Sequence, residues 1–195
     1  MTDAKIGRLL AASLHQSIAD LLPTRLEFYE SWLDAERLRE KGFDRAPFSA
    51  VCSFLRREAD RYDEVVRRAG RYAAEWAVAT LPAGHRVIVR STPGALRPRA
   101  VFWLVSRTIR ELYRETGPRI RFRKGVAEVE LRASPFCDVR EETTHPLCGF
   151  YVAAIGRFLE LFGIAATARI VECRAGGHPH CLLSVKTIGE ESVDG

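Results

Sequence analysis

The sequence predicts an α+β domain, a helical first half followed by an antiparallel sheet packed with further helix. Three observations carry this. Apolar residues recur at three- and four-residue steps up to about residue 116, and the period then falls to two across residues 119–131. A strongly apolar helical stretch separates that alternating pair from a second one near the C-terminus. At 195 residues and 47% hydrophobic content, the chain has ample material for a core, and no long linker divides it. The expected organisation is an N-terminal helical extension over 1–45, the main domain over 46–189 and a frayed tail over 190–195.

Residues 4–22 and 24–40 read as two amphipathic helices, parted by Pro23 with Thr24 as N-cap. Gly42 and Pro47 punctuate the next connection. A single long helix is expected from Phe48 to Leu81. Its apolar face carries Val51, Leu55, Tyr62, Val65, Ala69, Tyr72 and Trp76, with arginines between them. Pro82 and Gly84 stop it, and Ser91-Thr92-Pro93-Gly94 marks a further break. A helix over 98–116 follows, with a stripe of Val101, Leu104, Val105, Ile109 and Leu112, closed by Gly117-Pro118. The segment RIRFRKGVAEVELRA alternates around Lys124-Gly125, as a β-hairpin does. From Pro146 to Phe162 a helix is apolar nearly all round, which requires deep burial or a subunit interface. Strands over 166–174 and 181–188 complete the sheet.

The net charge of +5 is unevenly spread. Arg97, Arg99, Arg107, Arg110, Arg114, Arg119, Arg121 and Arg123 crowd one region, opposed only by Glu111 and Glu115 as far as Lys124. Such a face attracts nucleic acid, anionic lipid heads or carboxylated ligands, or is simply solvated. No nucleic-acid motif accompanies it, so no nucleic-acid partner is expected. No apolar run approaches the roughly 18 residues of a membrane span. Asp3, His15 and Asp20 interrupt the N-terminal apolar patch, which argues against a secretory signal, and a cytoplasmic location is expected. In that compartment five cysteines are thiols or metal ligands rather than disulfides.

Cys52, within the long helix, reads as a small buried hydrophobe. The other four occupy element ends: Cys137 in SPFC, Cys148 in HPLC, and Cys173 and Cys181 at the two ends of CRAGGHPHC. A sheet brings strand ends and helix starts to one edge, and zinc favours a tetrahedral thiolate set. Spacing alone leaves a metal site, buried structural thiols and redox chemistry all open. An enzyme signature is missing. Gly117, Gly125 and Gly163 form no dinucleotide fingerprint, and there is no nucleophile elbow or iron–sulfur run.

The stretch from SPFC through HPLCGFYVAAIGRFLELFG to ARIVECRAGGHPHCLLSV resembles the 4-vinyl reductase domain. That domain is named for a bacteriochlorophyll-biosynthesis protein and is also the sensor module of phenol-responsive transcription activators. The resemblance implies a fold similar to TRAPP-type trafficking subunits, usually dimeric. It also implies a zinc ion on Cys148, Cys173 and Cys181. The family's fourth ligand, a glutamate, falls at Ile170, which binds no metal. Cys137 is the first replacement candidate, followed by His178 and His180. Glu172, adjacent to Cys173, points to the opposite face on a regular strand. A zinc held by four protein ligands is structural, with no open position for chemistry.

The resemblance implies a small-molecule-binding protein, and a stand-alone one is expected. The first expectation is a carrier of a tetrapyrrole, a bacteriochlorophyll intermediate, or an assembly factor acting with pigment-biosynthesis enzymes. The alternative is a sensor of a small aromatic or lipid-like effector that acts through a separate partner. A vinyl reductase is the third reading, because the chain shows no redox machinery of its own. Candidate ligand-binding residues are Phe102, Trp103, Arg107, Phe122, Phe136 and Tyr151, the arginine to pair with a carboxylate. His15 and His145 are the histidines considered for approach to a metal inside such a ligand. A homodimer is expected from the apolar circumference of the 146–162 helix.

Overall fold

A computed structural model describes residues 5–33, 43–58, 61–123, 125–139 and 142–188. Among them seven α-helices precede or flank a four-stranded antiparallel sheet. The helices are α1 (Arg8–Leu21), α2 (Leu26–Glu30), α3 (Arg45–Leu55), α4 (Arg61–Thr80), α5 (Ala83–Ser91), α6 (Arg97–Leu112) and α7 (Gly149–Leu161). The strands are β1 (Arg119–Arg123), β2 (Val126–Leu131), β3 (Ala166–Glu172) and β4 (Cys181–Thr187), in spatial order β1-β2-β4-β3. The expected tail over 190–195 lies outside the described residues.

Alternation decides which sheet face is buried. Ala127, Val129 and Leu131 of β2 lie beside Cys181, Leu183 and Val185 of β4, all buried. Edge strand β1 instead points Arg119, Arg121 and Arg123 to solvent, which discourages edge-to-edge pairing. Helix α7 packs between α4 and β3, and its Phe150, Tyr151, Ile155 and Leu159 are fully buried. Its apolar circumference is therefore satisfied within one chain. The close crossing of α4 on α7 depends on Gly70, where a Cβ would collide with the Phe150 carbonyl oxygen. Helix α1 shares this core: Leu10, Leu14 and Ile18 are fully buried, and Ser17 Oγ donates to the Val65 carbonyl at 2.7 Å.

Five expectations need correction. The single helix over 48–81 is two, α3 and α4, joined through a 3₁₀ turn at Arg56–Glu58. One straight helix of that length would run about 50 Å, too long for both halves to reach one core. The break lets Phe48 of α3 meet Phe136 while α4 packs on α1 and α7. The stretch after Pro82 is not a plain break but helix α5, with Val89 its one buried residue. The helix expected over 24–40 reduces to the 3₁₀ turn Pro23–Arg25 and the short α2, its second half lying outside the described residues. Helix α7 starts at Gly149 rather than Pro146, because Cys148 leaves the helical conformation to serve as N-cap. The helix after residue 98 also stops at Leu112, where Tyr113 turns extended and bridges to Ile6.

Candidate metal centre

Four chain segments deliver one thiol each to a single buried point. Cys137 ends the 3₁₀ turn Pro135–Cys137, whose closing bond runs from Cys137 N to Ser134 O at 3.0 Å. Cys148 caps α7, Cys173 follows β3, and Cys181 opens β4. The connection from Arg174 turns through Gly176 to Gly177, whose φ of 86° suits glycine. Thr143 N donates to Ala175 O at 2.7 Å and ties the loop before α7 to this hairpin turn.

The sulfurs of Cys137 and Cys148 stand 3.0 Å apart, and those of Cys148 and Cys181 2.9 Å. Cys137 to Cys173 is 3.5 Å, Cys137 to Cys181 3.6 Å and Cys148 to Cys173 3.3 Å. All four sulfurs lie within 4.8 Å of one another, and all four residues are buried. A zinc–sulfur bond of about 2.3 Å implies tetrahedral edges of about 3.8 Å, so a small outward relaxation accommodates the ion. The separations are far longer than a disulfide, and every cysteine is a free thiol.

Electrostatics sharpen this picture. Hydrogen bonds from the thiols of Cys137, Cys148 and Cys181, with the backbone N–H of Leu147, hold Cys173 far below the usual thiol range. Bonds from Cys137 and Cys148 likewise lower Cys181, helped by the N–H of Arg174. The two N–H···S distances are both 3.4 Å. Hydrogen bonding to the other three sulfurs, with burial, pushes Cys148 up. Cys137 is also raised, despite its bond with Cys148, by its bonds to Cys173 and Cys181 and by burial. Four buried thiolates repel one another, so without a cation some keep their protons. A divalent cation removes that conflict, and four converging soft donors fit it.

The other fourth-ligand candidates lie apart and engage one another. His180 Nε2 is 3.3 Å from Glu172 Oε2, and His178 Nδ1 is 4.0 Å from the same oxygen. A register shift between Ile170 and Glu172 re-aims the end of β3. Cys52 stays alone and fully buried, its thiol pushed up to about 12 by burial. The six ligand-binding candidates divide. Phe136 and Tyr151 are buried in one aromatic cluster, where Phe136 stacks on Phe150 at 5.0 Å and meets Tyr151 edge-on at 6.2 Å. Phe102 and Phe122 pair edge-on at 5.4 Å between α6 and β1. Trp103 and Arg107 face outward, Arg107 paired with Glu111 at 3.0 Å. No histidine is buried: His15 pairs with Glu30, and His145 is exposed.

Sequence reasoning missed a cleft beside the thiols. It measures about 770 Å³ and is lined by Ala46, Ser49, Ala50 and Ser53 of α3, together with Arg56, Asp138 and Thr143. Small residues at three- and four-residue steps on α3 were the available signal. Arg45 closes one rim through Asp138 at 2.7 Å, and Arg56 donates to the Phe136 carbonyl at 3.4 Å.

No family model matches the sequence, and no curated protein matches it either. Solved structures do share the fold. An H-NOX protein from Shewanella oneidensis in the Fe(II)NO ligation state aligns with TM-score 0.60 at 12% identity, over 94% of this chain and 100% of its own. Trafficking protein particle complex subunit 3 from Naegleria fowleri, covalently bound to palmitic acid, aligns with TM-score 0.54 at 8% identity, over 74% and 93% of the two chains. The phenol-responsive sensory domain of the transcription activator PoxR aligns at 18% identity over 72% of this chain and 74% of its own, with TM-score 0.47. The α+β fold with its four-stranded antiparallel sheet is thus one already seen in H-NOX and trafficking-complex proteins.

Proposed function

We propose that this chain is an effector-binding sensor domain of the 4-vinyl reductase type, its last hairpin clasped by a structural zinc ion. The convergence of four buried thiols from four separate segments carries the reading. Cys137, Cys148, Cys173 and Cys181 would hold the ion. Bound there, zinc supplies a cross-link and no open coordination position for catalysis.

The sensor reading is supported by how the cleft and the thiols share structure. Asp138 and Val139 line the cleft and directly follow Cys137, while Thr143 lines it and hydrogen-bonds the hairpin turn at Ala175. An effector seated there touches Asp138, Val139 and Thr143, residues tied to the thiol cluster through Cys137 and to the hairpin turn through Ala175. Arg56 offers a cation beside a floor of small side chains, which suits a small amphipathic molecule with a phenolic or carboxylate head.

Calorimetric titration with phenol, palmitate and protoporphyrin IX tests the reading. Phenol or palmitate should bind at about micromolar affinity, and Arg56→Gln should weaken binding roughly tenfold. Porphyrin binding alone, unaffected by Arg56→Gln, would restore the tetrapyrrole carrier. Turnover of a vinyl substrate by the isolated chain would restore the enzyme.

A further inference from the structure

The 35 residues from Trp76 to Arg110 contain six arginines and no acidic residue. Helix α5 and the outer side of α6 lie within this stretch. Leu96, Arg99, Trp103, Arg107 and Arg110 follow one another at three- and four-residue steps, and all five are exposed. Beside them stands α5, with Val87 61% and Ile88 67% exposed; Trp103 is 57% and Leu96 50% exposed. These are four of the five most exposed large apolar side chains among the described residues, gathered on neighbouring helices. His85 of α5 lies parallel to the Trp103 ring at 6.3 Å, so the two helices present a joined surface. Arg97 fixes that junction by donating to the Arg90 carbonyl at 3.3 Å. Among the described residues no carboxylate pairs with Arg86, Arg90, Arg99 or Arg110; Arg107 alone has Glu111.

We propose that α5 and the outer stripe of α6 form a docking surface for an anionic lipid bilayer. Charge selects the partner. A two-fold contact with a second copy would set these arginines against their own equivalents, with only Glu111 beside Arg107 to offset them. Exposed Val87, Ile88 and Leu96 have nothing to contact on a phosphate backbone, which disfavours nucleic acid. Aliphatic tips, an indole and unpaired arginines on one face match the interfacial zone, where apolar groups enter the acyl boundary and cations meet lipid phosphates. A helix with one buried residue, as α5 is, keeps the remainder of its surface for that contact.

The test is co-sedimentation of the full chain with vesicles of phosphatidylcholine alone, or containing about 30% phosphatidylglycerol. The expected result is binding to the anionic vesicles only, lost when salt is raised to about 0.5 M. Ile88→Asp should weaken binding roughly tenfold, and Arg86→Gln with Arg90→Gln roughly fivefold per arginine. These side chains are mostly surface-facing, and an unchanged thermal melt verifies that the variants are folded. Brominated lipid should quench wild-type fluorescence more than that of Trp103→Phe. Failure to bind, equal binding to neutral vesicles, or full binding by folded Ile88→Asp would each overturn the proposal. So would loss of a dimer in Ile88→Asp without any lipid binding by the wild type. None of these outcomes depends on metal at the thiol centre or on the effector.

Discussion

Replacing Cys173 with Ser removes one corner of the thiol cluster, and the cost can be worked from chain connectivity. Cys173 is joined through the cluster to Cys137, 36 residues away, and to Cys148, 25 residues away. Closing loops of that length removes about 3.5–4 kcal/mol of unfolded-chain entropy in the cross-link relation, and a metal clip acts on the same quantity. Total stability of such a domain is about 5–15 kcal/mol, so the loss is a large share. At roughly 2–4 °C per kcal/mol for this size, the melting temperature should fall by about 7–15 °C in the presence of zinc. The assay pairs circular-dichroism melting with metal content measured on the same sample. Wild type should carry about one zinc per chain, and a strong chelator should lower its melt by a similar amount. Cys52→Ser should keep the metal, because Cys52 lies outside the cluster. A wild-type melt unmoved by chelator, or full metal content in Cys173→Ser, would refute the clasp.

Two further predictions concern the scaffold. Gly70→Ala should destabilise by about 1–3 kcal/mol, as overpacking does, because its Cβ meets the Phe150 carbonyl where α4 crosses α7; denaturant titration measures it. Asp20 accepts hydrogen bonds from Tyr72, Gln16 and Arg68, and the bond from Tyr72, the largest influence, holds its carboxyl below the ordinary value of 3.8. Its contribution is thus present above pH 3.8 and lost as pH falls through the lower folded value. Asp20→Asn should melt lower than wild type near neutral pH, and the difference should close in acid; a constant difference would contradict the assignment.

The sequence by itself determined the fold class, the order of the later elements and which thiols were worth watching. Its change of period from helical to alternating is local, and local burial preference writes it directly into residue order. Even here the reading depended on helix length: with no glycine or proline between Phe48 and Ala69, nothing local announced the turn at Arg56–Glu58. That break is set by two halves packing in different directions, a tertiary demand. The same holds for α5, where Val87 and Ile88 face outward and Val89 alone is buried, so no core-facing stripe forms. Only the tertiary structure decided that Cys137 stands with Cys148, Cys173 and Cys181 while Glu172 pairs with the histidines. It alone separated the six ligand-binding candidates, because an aromatic residue carries the same burial preference whether it lines a pocket, fills a core or, like Trp103, faces water. Spacing along a chain constrains residues within one helix or hairpin. Which of these elements meet depends on packing between faces far apart in sequence, and the thiol centre exists only where four of them do.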